Sequence, residues 1–172
     1  MKNLRNSVLA AMFLAIGLVL PFLTGQIQRI GNMLLPMHIP VLLCSFICGW
    51  KCGLAVGFIL PLLRSVMFGM PPMYPKAVAM AFELAAYGFM AGYIYYRSKS
   101  KDWKDLYSAL IIAMVFGRLV WGAVQTILLG MEKFTFYVFI SGAILDAVPG
   151  IIIQLVLIPA VITVVKRRGL LH

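Results

Sequence analysis

The chain has 172 residues, of which 63% are hydrophobic and only 12% are charged, whereas soluble domains usually contain about 45–50% apolar and about 25% charged residues. One membrane crossing takes about 20 residues, so the length leaves room for about six or seven crossings and for no separate soluble domain. The composition therefore excludes a soluble enzyme and predicts a multi-pass integral membrane protein of the cell membrane, with a single domain over residues 1–172.

The charge is strongly positive, with 15 Lys and Arg against 5 Asp and Glu. In a soluble protein this excess would indicate nucleic-acid binding. In a membrane protein it is typical of cytoplasmic loops, because Lys and Arg resist translocation. We therefore expect membrane lipid around the chain and no nucleic-acid partner.

Apolar runs bounded by glycine, proline and charged residues divide the chain into six segments. They are roughly Val8–Leu23, Leu35–Gly49, Gly53–Phe68, Ala77–Tyr96, Leu106–Leu129 and Phe136–Val165. The second and third are short for a full crossing, so they either begin within the neighbouring loops or lie inside a protein-lined interior. The pattern predicts an all-α membrane protein with six transmembrane helices in one compact bundle.

The orientation follows from counting basic residues. With a cytoplasmic N-terminus, ten Lys and Arg lie on the inside and three on the outside. The inside set is Lys2, Arg5, Lys51, Arg97, Lys99, Lys101, Lys104, Lys166, Arg167 and Arg168; the outside set is Arg29, Lys76 and Lys133. We expect both termini to be cytoplasmic.

Four ionisable residues fall inside the predicted helices: Arg64, Glu83, Arg118 and Asp146. Each would cost several kcal/mol if it faced lipid, so each is expected to face a pocket or an opposite charge. Distances from the outer helix ends put Arg64 near Glu83, and Arg118 near Asp146 at mid-membrane. These pairs either bind a solute or fasten helices together.

Polar residues near these charges recur at helical spacing. Arg118, Trp121 and Gln125 share one face of the fifth helix, Glu83 and Tyr87 share one face of the fourth, and Asp146, Gly150 and Gln154 share one face of the sixth. Such inward faces predict an apolar cavity with a few polar groups, as a small organic solute requires. His38 at the start of the second helix contacts the solute or serves as a simple cap, and Asn32 lies in an outer loop long enough to act as a lid.

Motifs of known chemistry are absent from the sequence. It contains no P-loop, no H-E-x-x-H and no G-x-S-x-G, so neither nucleotide hydrolysis nor intramembrane proteolysis has a visible basis. Cys44, Cys48 and Cys52 are interpreted as small packing residues rather than metal ligands. We expect no enzymatic activity, no cofactor and no metal.

Several short motifs occur in a characteristic order. Ala11-x-x-x-Ala15 on the first helix is followed by Leu35-Pro36-Met37-His38-Ile39-Pro40-Val41-Leu42, then Cys48-Gly49-Trp50-Lys51-Cys52-Gly53, then Gly69-Met70-Pro71-Pro72. With six helices in a chain of this length, this order resembles the substrate-binding (S) component of an energy-coupling factor (ECF) transporter.

The resemblance implies high-affinity capture of a B vitamin, a precursor or a related micronutrient from outside the cell. It also implies delivery of that solute together with a transmembrane coupling subunit and two cytoplasmic ATPases. The alanine motif is the docking surface of that family, which assigns docking to Ala11 and Ala15.

Other interpretations remain open from the residues. A stand-alone proton-coupled transporter would use Glu83 or Asp146 as its proton carrier, and a membrane enzyme or a purely structural subunit is a further alternative. Arg64, Arg118 and Lys133 suit a carboxylate or phosphate, but Glu83 and Asp146 can neutralise the two arginines, which leaves a neutral heterocycle equally possible.

Overall fold

The computed structural model describes residues 2–24, 34–130, 141 and 147–168. Within these ranges the chain forms six α-helices and no strand. The helices are α1 (Lys2–Val19), α2 (His38–Cys48), α3 (Trp50–Phe68), α4 (Val78–Arg97), α5 (Trp103–Leu129) and α6 (Val148–Arg167). The predicted all-α fold is confirmed. Helices α1 to α5 correspond to the first five predicted segments, and α6 matches the described end of the sixth.

Five of the described helical segments are long and apolar enough to cross a membrane, and α2 is the shorter exception. Its 11 residues span only about 16 Å. Eight of its residues are buried, including His38 at its first position. Because its backbone is enclosed by protein, α2 has no need to span the hydrocarbon region.

A single glycine separates α2 from α3. Gly49 has a φ of 96°, a conformation that side chains with a Cβ rarely adopt. Its backbone N–H donates to the Ser45 carbonyl at 3.0 Å and so closes the last turn of α2. The chain reverses here within one residue, which places α3 directly beside α2.

Close glycine contacts join α3 to α4. The backbones of Gly53 and Gly88 meet, and a Cβ on Gly57 would lie 2.8 Å from the backbone nitrogen of Ala85. The Ser45 hydroxyl of α2 donates to the Gly88 carbonyl at the same crossing. Small residues of this kind let helix backbones approach closely, which is a main source of helix association in lipid.

Two apolar clusters form the core, and both include residues of α2 and α4. The first cluster packs α2, α4, α5 and α6 together and contains Leu42, Phe46, Tyr87, Ala91, Tyr95, Leu106, Ala109, Leu110, Ala113, Met114, Ile158 and Ile162. The second packs α1 and α3 against α2 and α4 and contains Phe13, Met37, Val41, Cys44, Cys48, Val56, Leu60 and Leu84. Helix α1 therefore lies on the opposite side of α2 from α5 and α6.

Helix α1 buries the smallest share of its residues among the five candidate spans. Phe13 and Gly17 face the bundle. Its other face is an exposed apolar strip, made up of Leu4, Val8, Ala11, Met12, Ala15, Ile16 and Val19.

We predict that Gly57→Ala destabilises the bundle by about 1–3 kcal/mol, the usual cost of overpacking. The added methyl would meet backbone atoms of Leu84 and Ala85, which cannot move aside by rotating a side chain. Thermal unfolding of the purified protein in detergent measures the effect. Ala55→Val on the same helix is the control, because Ala55 is exposed; equal midpoints for the two variants would contradict the close contact.

Candidate functional site

Polar residues from four helices lie one turn beyond the apolar residues of the first cluster. In each helix the polar residue is four positions from its apolar neighbour: His38 from Leu42, Glu83 from Tyr87, Arg118 from Met114, and Gln154 from Ile158. Four residues span about 6 Å and share a helix face. We call His38, Glu83, Arg118 and Gln154 the polar layer, and Leu42, Tyr87, Met114 and Ile158 the apolar layer.

The directions of the helices explain why the polar residues lie at the same level of the bundle. Residues 98–102 join α4 to α5, so these two helices run antiparallel. Moving four residues toward the C-terminus in α5 and four residues toward the N-terminus in α4 therefore leads to the same end of the bundle. The polar layer lies on that side of the apolar layer, and the direct contacts of Glu83 with Arg118 and His38 establish the common level.

Glu83 is the centre of the polar layer. Its Oε1 accepts a hydrogen bond from Arg118 Nη1 at 2.8 Å and lies 3.4 Å from His38 Nε2. The side chains of Glu83 and His38 are 2% and 1% exposed, and that of Arg118 is 12% exposed. The His38 ring also meets the edge of Tyr87 at a centroid distance of 4.9 Å, so the ion pair rests directly on the apolar layer.

Several buried polar atoms have no hydrogen-bond partner among the residues that the structure describes. They are His38 Nδ1, Arg118 Nε and Nη2, Gln125 Oε1, and Gln154 Nε2 and Oε1. An unsatisfied buried polar group costs about 1–3 kcal/mol, and nearly all such groups in folded proteins have a partner. Three residues of the polar layer are thus equipped to bind a further polar molecule.

The predicted polar face of α5 is present. Gln125 lies two turns beyond Arg118 and is only 6% exposed. Trp121 is half-buried between them, and it interacts with other residues of the chain. Arg118 and Gln125 therefore both face the bundle, as their spacing predicts.

The predicted pairing of Arg64 with Glu83 is wrong. Arg64 Nη1 donates to the Leu18 carbonyl near the end of α1. Its guanidinium lies 5.0 Å from the ring centroid of Phe22 and 5.4 Å from that of Phe68. Arg64 is therefore satisfied by a helix end and by aromatic faces, and Glu83 takes Arg118 as its cation instead.

Two predicted site residues, Asn32 and Asp146, lie outside the described residues, so the expected Arg118–Asp146 pair does as well. Gln154 lies on the predicted inward face of the sixth helix and is fully buried, but it is not among the predicted solute contacts. Its helical spacing from Asp146 and Gly150 is the sequence signal that identifies it. The contact of His38 with Glu83 also has no sequence signal, because it joins residues 45 positions apart.

The three cysteines contribute to packing within the described part of the chain. Cys44 and Cys48 belong to the second apolar cluster, and all three cysteines are free. Among the described residues, no group of three His, Cys, Asp or Glu side chains is placed to hold a metal ion.

Comparison with known proteins adds one match. The model of the family described as ECF transporter, substrate-specific component, matches residues 5–162. This range includes all of α2, α3, α4 and α5 and most of α1 and α6. No curated protein and no solved structure matches the chain.

We predict that Glu83 is coupled to Arg118 and independent of Arg64. Glu83→Gln and Arg118→Gln should each destabilise by about 3–5 kcal/mol, because each leaves a buried charge without its partner. The double variant should be destabilised by much less than the sum of the two single destabilisations. Glu83→Gln with Arg64→Gln should be additive within about 0.5 kcal/mol. Denaturation of the six proteins in one detergent measures both cycles, and coupling to Arg64 instead of Arg118 would reject the observed pairing.

Proposed function

Because the chain belongs to the family of substrate-specific components of ECF transporters, we propose that it captures a vitamin or related micronutrient from outside the cell. We further propose that it delivers this solute to the cytoplasm with a transmembrane coupling subunit and two ATPases. The polar layer, whose buried atoms include several with no partner among the described residues, is the observation that carries the proposal. Tyr87 would form the floor of the site, and Gln125 would extend it outward.

The arrangement of the core supports capture rather than passage. Beyond the apolar layer the first cluster continues through the buried side chains of Phe46, Ala91, Leu110 and Ala113. A solute in the polar layer would therefore meet a packed core on one side. Transport then requires movement of the whole loaded protein or a partner that opens it, which suits a component that acts with coupling subunits.

The charges support an outward-facing site. The packed end of the first cluster lies next to the basic residues at the end of α4, the start of α5 and the end of α6: Arg97, Lys101, Lys104, Lys166 and Arg167. Basic residues mark the cytoplasmic side. In this orientation the polar layer lies in the outer half of the bundle, where it can collect a solute from outside.

The exposed face of α1 supports docking through Ala11 and Ala15. Both alanines are exposed and lie one turn apart. Their small side chains form a shallow groove in the exposed apolar strip of α1, whose other side chains are bulky. Another helix can approach closely at such a place. Helix α1 also lies apart from the polar layer, so a partner can bind it without covering the solute.

A stand-alone transporter driven by protons is the second candidate, since Glu83 is a buried carboxylate that lies beside a second ionisable side chain, that of His38. Protonation of Glu83 would break its ion pair with Arg118. The guanidinium would then be an uncompensated buried charge, at a cost of about 3–5 kcal/mol. This cost favours the ATPase-coupled function over proton transport through Glu83.

We predict that Ala11→Trp and Ala15→Trp abolish assembly with the coupling subunit and leave solute capture intact. A bulky ring at either position would hold the partner helix away from α1. Co-purification with tagged coupling subunit and ATPases measures assembly, and ATP-dependent uptake into cells measures transport.

Ala123→Trp on α5 serves as the control, because Ala123 is also exposed and lies on another helix. It should assemble and transport as the unsubstituted protein does. Assembly of both α1 variants would contradict docking through this face, and uptake that persists without the ATPases would favour the proton-coupled alternative.

A further inference from the structure

Arg118 leaves one edge of its guanidinium without a hydrogen-bond acceptor within the described chain, and the guanidinium also interacts with the neighbouring Tyr87 hydroxyl. Nη1 donates to Glu83, whereas Nε and Nη2 are buried and have no acceptor among the described residues. These two free donors form one edge of a planar group and point in parallel. That edge matches the two oxygens of a carboxylate, which it binds through two parallel hydrogen bonds.

Resting on the proposed capture function, we infer that the captured solute is an organic acid whose carboxylate binds the Nε–Nη2 edge of Arg118. Glu83 then holds one end of the guanidinium, and the solute holds the other. The ion pair with Glu83 fixes the orientation of the free edge before the solute arrives, so little side-chain freedom is lost on binding.

Other groups fit the free edge less well. One neutral carbonyl oxygen would engage the pair of donors less completely than two oxygens do. A dianionic phosphate would bring three negative charges, with that of Glu83, around one buried guanidinium. With a monocarboxylate there are two negative charges, that of Glu83 at one end of the guanidinium and that of the solute at the other. The carboxylate also accepts from both Nε and Nη2.

The neighbouring residues define the rest of the solute. His38 Nε2 faces Glu83 Oε1, and since an ionised carboxylate only accepts, the ring hydrogen is assigned to Nε2. In the neutral form of the ring, Nδ1 is then an acceptor, and it has no donor among the described residues. Gln154 is fully buried and offers both a donor and an acceptor. These groups fit an acid that also carries a hydroxyl or an amide.

The inference is tested by identifying what the protein carries. The unsubstituted protein, Arg118→Lys and Arg97→Lys are purified from the same cells and denatured, and the released small molecules are measured by mass spectrometry in both ion modes. Lysine at 118 keeps a positive charge for Glu83 but lacks the two-donor edge. Arg97 is exposed and bonds Tyr93, so it is a matched control for the same substitution.

We expect an organic acid to be enriched at least about tenfold in the unsubstituted protein and in Arg97→Lys relative to Arg118→Lys. Two hydrogen bonds to a charged group justify this factor. An enriched molecule without an acidic group, or an acid retained equally by Arg118→Lys, would overturn the inference and leave capture standing. Failure of both the unsubstituted protein and Arg97→Lys to carry any enriched molecule would remove capture itself and the inference with it.

A second measurement separates the carboxylate from the rest of the molecule. The released acid and its primary amide, which has the same shape, are titrated into each protein by calorimetry. The acid should bind the unsubstituted protein at least about tenfold more tightly than the amide, and this preference should shrink in Arg118→Lys. Equal affinity of acid and amide for the unsubstituted protein would overturn the inference even if Arg118→Lys had lost stability.

Discussion

The buried ion pair between Glu83 and Arg118 is the constraint on which the site depends. In apolar surroundings neither charge is tolerated without the other, so α4 and α5 must pack with these two residues at one level. Glu83 also contacts His38, which lies in the first turn of α2. One carboxylate thus fixes the relative positions of three helices and leaves the second edge of the guanidinium turned away from the pair.

The apolar layer makes this level possible. A Cβ on Gly117 would overlap the Tyr87 ring, so glycine beside Arg118 allows α5 to approach α4 closely at this depth. Tyr87 then fills the space on one side of the ion pair, together with Leu42, Met114 and Ile158. Because that side is filled, a solute would reach the polar atoms that lack a partner within the described ranges from the opposite side of the layer.

The sequence predicts the helices well and the pairing of their charges poorly. Hydrophobic runs and their boundaries are local, so six segments could be recognised, and the spacing of Arg118 and Gln125 indicated their common inward face. Counting from helix ends gives neither the register between two helices nor the direction in which each helix turns its face. The contacts of Gly53 with Gly88 and of Gly57 with Leu84 place Arg64 level with the start of α4, about 9 Å from Glu83 along the helix axis, and Arg64 bonds Leu18 of α1. The partner of a buried charge depends on helix rotation, which arises from contacts between distant residues.

The short helix α2 connects the two halves of the protein. His38 at its start belongs to the polar layer, while Val41, Cys44 and Cys48 on its length pack in the second cluster with Phe13 of α1. At its end, the Cys48 carbonyl accepts a hydrogen bond from Asn6 of α1 at 3.2 Å. Since packed interiors resist compression, a rigid shift of α2 that follows a change at His38 has to displace α1 as well. Helix α1 would then occupy different positions in the solute-bound and the solute-free protein. The exposed alanine face would move with it, although it makes no direct contact with the solute.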